Sequence, residues 1–246
     1  MHPQSSERRI QRIRHELRHR QVTVAKVEPL SADMVRITFS GDALADFVSL
    51  SFDDHVKFTL TTADGETVRR DYTPVGFQPE ACTLAIEFAL HGHGVASSWA
   101  RAAQPGQQAI ISGPRGSMVI PTDYAWHLLV GDSSALPAIR RRLQELPAGA
   151  QAIAVVHGQP STPPDTFACD ATLSLHWVSD ADALLRTVAG LMLPAGDGFV
   201  WAAGEASSMR ALRTLLQEEK QLPKQQMRIA VYWKQGSSDF HERLDD

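Results

Sequence analysis

The sequence predicts two domains: an antiparallel β-barrel, then an α/β domain built on a parallel sheet. Three observations lead there. The chain has 246 residues, room for two domains of about 120 residues each. Residues 21–121 alternate apolar and polar side chains in short runs broken by turn residues, the period-2 signature of half-buried strands. From residue 124 onward, continuous apolar runs take turns with segments of helical spacing, which marks strands covered on both faces.

In the first half, strands are predicted in QVTVAKVEPL, MVRITFS, HVKFTLTT, TVRRDYT, CTLAIEFAL and QQAIISG, with a helical turn in GDALADF. The run TVRRDYT is expected to stop at Pro74, which has no N–H to give a ladder. In the second half, WHLLVGD reads as an apolar strand. SSALPAIRRRLQEL follows as a helix with a serine cap and an early proline. QAIAVVHG and TLSLHWVSD are two further strands, ADALLRTVAGLM a helix, GFVWAAGE a strand, ASSMRALRTLLQEEK a helix and QMRIAVYWKQG the last strand. Parallel sheets bind ligands at the carboxyl ends of their strands. The turns of interest are therefore GDSSALP, HGQP, AGEASS and YWKQG.

With 43% hydrophobic and 21% charged residues and a net charge of −4, the composition is that of an ordinary globular protein without bias toward nucleic acid or anionic membrane. No run reaches the length of a spanning helix and no secretory h-region precedes the first strand, so a cytoplasmic location is expected. Residues 1–20 form a basic arm, with Arg8, Arg9, Arg12, Arg14, Arg18 and Arg20 against Glu7 and Glu16. The charge of such an arm suits RNA or lipid headgroups, but a solvated helix or a frayed terminus is the expected reading. Cys82 and Cys169 are expected as small core residues, not as a disulfide. No C-x-x-C or H-E-x-x-H spacing is present, and His91-Gly-His93 falls short of a metal site.

The stretch RRDYTPVGF carries the first chemical signal. In a strand, Arg70 and Tyr72 share a face. An arginine fork suits a phosphate, a tyrosine ring suits stacking on a flat aromatic system, and Thr73 offers a hydroxyl beside it. In the second half, the arginines at 140–142 are either a 2′-phosphate site or the exposed face of a helix. His127, His157 and His176 read as structural and Trp201 as core. Trp233 is either packed or close to a nicotinamide site.

Arg70-Asp71-Tyr72-Thr73 resembles the R-x-Y-[S/T] flavin signature of the ferredoxin reductase superfamily. EFALHGHGVASSWA (87–100), GDSSALPAI (131–139), WAAGEASSMRALR (201–213), YWKQG (232–236) and DDHVKF (53–58) are similar, in order, to segments of the siderophore-interacting protein family. Two departures stand out: Val95 replaces a family proline, and Ser133-Ser134 replaces a Glu-Thr pair. The resemblance implies an FAD-binding barrel of ferredoxin reductase type over 21–121 and an NAD(P)H-binding-like domain over 124–246. It implies FAD contacts from Arg70, Asp71, Tyr72, Thr73, Glu87, Leu90, His91, Gly94, Ala96, Ser97 and Ser98, and a nucleotide contact from Ser134. The activity implied is NADPH-dependent reduction of a ferric siderophore, with reduced ferredoxin as the other donor. His157, where an acidic residue would hold an NAD ribose, favours NADPH over NADH. An anionic chelate such as a catecholate calls for cations, and Lys57 and Lys234 are the candidates at the reacting centre, with Arg115 third. Two alternatives stay open: a general flavin or ferredoxin reductase, and a non-catalytic flavin- or siderophore-binding protein.

Overall fold

A computed structural model describes residues 10–61, 65, 67–90, 94–158 and 167–236. The chain divides into two compact units, Met1–Ile120 and Pro121–Asp246.

The first unit contains β1 (Gln11–Arg14), β2 (His19–Ser31), β3 (Met34–Ser40), β4 (Val56–Thr61), β5 (Thr67–Tyr72), β6 (Pro74–Gln78), β7 (Thr83–Ala89), α1 (Val95–Arg101), β8 (Gln108–Ser112) and β9 (Gly116–Val119). Seven of these strands form an antiparallel sheet in the order β5-β4-β8-β2-β3-β7-β6. Thr73 alone links β5 to β6, although these are the two edges of the sheet. One residue spans under about 4 Å, so the sheet must curl until its edges meet. The result is a partly open barrel. Its core is aromatic: Phe58 lies 5.1 Å from Phe88 and 4.9 Å from Trp99, centroid to centroid.

One expectation is extended here and another corrected. Strand β5 ends at Tyr72, ahead of Pro74 as expected, but Pro74 then opens β6 and pairs with Ile86, a position proline tolerates at the start of an edge strand. The basic arm is, over its described part, neither helical nor frayed: β1 pairs antiparallel with β9. Arg20 is 5% exposed, because its guanidinium finds the carbonyls of Ala43 and Gly113 and the Asp46 carboxylate. Burial, then the nearby charge of Arg18, lowers its pKa. Alternation in the arm's sequence was too short to show a strand.

The second unit contains β10 (Trp126–Asp132), α2 (Leu136–Glu145), β11 (Gln151–His157), β12 (Thr172–Val178), α3 (Ala181–Gly190), β13 (Gly198–Glu205), α4 (Ala206–Glu218) and β14 (Met227–Trp233). All five strands are parallel, in the order β12-β11-β10-β13-β14. Each residue of β10 is buried, which explains why its sequence shows no alternation. Strand order reverses between β10 and β13, so the crevice at their carboxyl ends is the topological switch point. Helices α3 and α4 start at acidic caps: Asp180 accepts from Ala183 N–H, and Glu205 from Ser207 and Ser208 N–H. Both cysteines are free thiols. Among the described residues, no helix is long and apolar enough to cross a membrane.

Candidate functional site

In the barrel, strand register sorts the flavin-type residues onto two faces. Phe58 lies opposite Arg70, Val56 opposite Tyr72, and Lys57 opposite Asp71. Arg70 and Tyr72 therefore share one face, and Arg69 and Asp71 the other, where they are exposed. The Tyr72 ring leans on Phe88 at 4.4 Å and meets Phe58 edge-on at 5.9 Å. Burial raises the Tyr72 hydroxyl pKa, with Arg70 pulling the other way; the group stays a neutral phenol. Arg70 donates one N–H to the Arg69 carbonyl at 2.8 Å. Thr73 is buried between the two edges of the sheet.

Helix α1 packs against β3, β5 and β7, with Ala96, Ala100 and Trp99 joining the same core as Tyr72. Ser98 N–H closes the first helical bond on the Gly94 carbonyl at 2.9 Å, and Ser97 donates its hydroxyl to that carbonyl at 2.9 Å. The amides before Ser98 have no partner within the helix. No acidic residue stands in this first turn. A group with an anionic end and a flat ring fits these features: Arg70 and the α1 turn for the charge, Tyr72 for the ring. Leu90 donates its N–H to Asp33 and packs on the barrel core. Glu87 is buried and held by Arg36 at 2.6 Å; its charge is met within the protein. His91 lies outside the described residues.

On the opposite face of β5, Lys57 pairs with Asp71 at 2.8 Å. Each is about a third exposed, so the pair adds under about 1 kcal/mol to stability. Lys57 lines a groove of about 260 Å³ together with His19, His55, Arg69 and Arg115. His19 reaches this surface from β2, Lys57 from β4 and Arg69 from β5, while His55 precedes β4 and Arg115 precedes β9. Arg69 thus joins Lys57, and Arg115 joins both. His19 belongs to no motif, and only the register of β2 and β4 against β8 brings it near Lys57; His55 stands two residues before Lys57 within DDHVKF.

In the second unit, Asp132 ends β10 and is 8% exposed. One of its oxygens accepts the N–H and hydroxyl of Ser134; the other accepts Glu205 N–H at 3.0 Å and the Trp233 indole N–H at 2.9 Å. One carboxylate therefore joins the GDSSALP, AGEASS and YWKQG turns. The sequence reading did not single it out. A Cβ on Gly204 would stand 2.6 Å from Asp132 Oδ2, and one on Gly131 2.6 Å from the Ala203 carbonyl. These glycines permit the close approach. The hydroxyl proton of Ser134 is directed at Asp132, which leaves its oxygen lone pairs for a ligand. Burial works to raise the Glu205 carboxyl, but the Ser207, Ser208 and Gln235 donors outweigh it and hold the pKa below its ordinary value.

The arginines at 140–142 do not form one exposed helix face. Arg142 is 1% exposed and reaches the Pro121 carbonyl and Glu145. Arg141 pairs with Glu145, and Arg140 lies 5.9 Å over the Phe167 ring. Lys234 follows Trp233 at the carboxyl end of β14.

Two family models match the chain. Residues 23–68 and 61–118 match the siderophore-interacting FAD-binding domain, and residues 124–236 match siderophore-interacting protein. The chain is 38% identical over 245 residues to the NADPH-dependent ferric-chelate reductase of Escherichia coli, covering 91% of this chain and 96% of that one. The chain belongs to the siderophore-interacting protein family. Among solved structures of the family, a siderophore utilization protein from T. fusca superposes with a TM-score of 0.81 at 30% identity, covering 94% and 98% of the two chains. The ferredoxin reductase of carbazole 1,9a-dioxygenase shares the fold with a TM-score of 0.65 at 15% identity, over 88% and 66%.

Proposed function

We propose that this chain is an FAD-dependent ferric-siderophore reductase that takes electrons from NADPH, and that residues 21–121 hold the flavin and 124–246 the reductant. Bound FAD supplies the conversion of a two-electron hydride donor into single-electron delivery, and Fe(II) is held less tightly than Fe(III) by hard oxygen ligands. The protein's own part is binding, orientation and charge. Arg70 meets the flavin phosphates, Tyr72 flanks its ring system, and Thr73 lies at the ring edge. Leu90, His91, Gly94, Ala96, Ser97 and Ser98 surround the pyrophosphate and adenine side, with Glu87 behind them. Asp71 acts through Lys57, whose ammonium it holds on the groove. Lys57 and Lys234 attract an anionic chelate of catecholate type, and Ser134 borders the nucleotide. The reaction takes place in the cytoplasm, with reduced ferredoxin as the other donor open to test.

The observation that carries this reading is the two-sided strand β5. One face offers an arginine and a tyrosine beside α1. The other offers Arg69 to a groove of cationic side chains. A flavin site without a chelate site would not need the second. The test is anaerobic reduction of the yellow holoprotein with NADPH, NADH and reduced ferredoxin in parallel, followed by a ferric catecholate. Bleaching by NADPH and recolouring by the chelate is expected. Recolouring only by oxygen or free flavin would make it a general flavin reductase; a protein that takes up no FAD would sink both.

A further inference from the structure

Four tryptophans stand in the strands of the parallel sheet, Trp126, Trp177, Trp201 and Trp233, and the last differs from the others. Trp126 and Trp201 are 2% and 1% exposed, whereas Trp233 is 37% exposed. A large apolar ring left at a surface loses the burial that its neighbours gain, and here several features hold it in place. First, the β13–β14 ladder breaks register: Gly204 pairs with Val231, but Glu205 pairs with Trp233. Tyr232 is therefore the extra residue of a bulge, with its ring turned to Trp201 at 6.4 Å. Bulges of this kind re-aim the next side chain, and they gather beside functional sites. Second, the indole N–H is fixed on Asp132 at 2.9 Å, and Asp132 is itself nearly buried. Third, Gly204 leaves the space that lets Asp132 reach that position. Gln235 N–H is also held, by Glu205 at 3.4 Å.

An indole fixed in this way has lost rotamer freedom before any ligand arrives, so a partner that stacks on it avoids that entropic cost. Its place is the carboxyl edge of a doubly wound sheet, one strand from the switch point. A phosphate is not the natural occupant of the neighbouring α4 terminus, because the Glu205 carboxylate already receives the Ser207 and Ser208 amides. What Trp233 offers a dinucleotide at this edge is a ring. We propose that Trp233 is the stacking platform for a flat heteroaromatic ring of NADPH and that Asp132 is the positioning residue that orients it. This rests on the reading of NADPH as donor.

The test uses the oxidised FAD-loaded protein and calorimetric titration with NADP⁺ and with 2′,5′-ADP, which carries the adenine half alone. Trp233→Ala is expected to weaken NADP⁺ binding about tenfold, in the range known for base–aromatic stacking. Trp233→Phe, which keeps a ring but loses the Asp132 anchor, is expected to fall between Ala and the wild type. NADP⁺ should quench indole emission in the wild type, and Trp233→Phe should remove that part of the quenching. An equal loss for 2′,5′-ADP assigns the adenine ring; a loss confined to NADP⁺ assigns the nicotinamide. Equal NADP⁺ affinity in Trp233→Ala and wild type overturns the stacking role and leaves NADPH as donor. Equal losses in Ala and Phe variants also overturn it. A wild-type protein that binds no NADP⁺ overturns the inference and the donor reading together.

Discussion

Strand β5 of the barrel and strand β10 of the parallel sheet offer polar groups in different ways. β5 is half-buried along its length, so alternate residues reach two surfaces: Arg70 and Tyr72 one, Arg69 and Asp71 the other. β10 is buried at every position, and its chemistry is confined to its last residue, Asp132. The difference follows from layer architecture. A barrel strand is packed on its inner face only, which leaves a row of outward positions for a ligand. A sheet strand covered on both faces can meet a ligand only where it ends. One consequence is that the barrel's candidate flavin residues come from continuous short motifs. Those of the second unit come from three turns brought together by one carboxylate.

This contrast can be broken or sharpened by experiment. The largest effect is expected from acid. His127, on β10, is 1% exposed. Burial first, then the charge of Arg142, pushes its pKa down to about 4, against smaller opposing effects of the Thr122 carbonyl and Asp123. The unfolded chain protonates a histidine near pH 6.5. The folded unit should therefore keep full stability above about pH 6.5 and lose it progressively as pH falls toward 4. The total is about 3 kcal/mol at about 1.4 kcal/mol per pKa unit. Urea midpoints across that window should show the slope, and His127→Gln should flatten it. A slope unchanged in the variant would place the acid sensitivity elsewhere.

Next comes the mid-strand site. Arg70→Ala should weaken FAD retention by about 1.5–3 kcal/mol, the worth of a charge-assisted hydrogen bond, read as the flavin fraction surviving gel filtration. Undiminished retention would take Arg70 off the phosphates. The smallest effect is expected at a strand end. Gly204→Ala sets a methyl 2.6 Å from Asp132 Oδ2 and should cost about 1–3 kcal/mol through local strain. Its signature is loss of the Asp132–Trp233 bond, seen as altered indole emission with FAD retention unchanged. If flavin is lost as well, the substitution acts beyond the Asp132–Trp233 bond.

Most of the fold was legible because it rests on periodicity. Alternation marked the barrel strands, and uninterrupted apolar runs marked the parallel ones. What escaped was short or non-local. β1 and β9, with four residues each, are too brief for a period to emerge, and β6 was hidden behind Pro74, a residue that usually ends a strand. At the site, the pairing of Arg70 with Tyr72 followed from the i, i+2 rule, and the family resemblance supplied the flavin. Arg142 is buried, which no exposed helix face would show, because a helix's buried face depends on what packs against it.

By itself, then, the sequence determined the order of the two architectures, the shared face of Arg70 and Tyr72, and the family. These are properties of neighbours along the chain, where side-chain direction follows from local geometry. Only the tertiary structure decided that Arg69 joins Lys57, His19, His55 and Arg115 on one groove. Only it decided that Asp132 gathers Ser134, Glu205 and Trp233. Those groups meet through strand register and a bulge, and both are set by packing between segments about 70–100 residues apart.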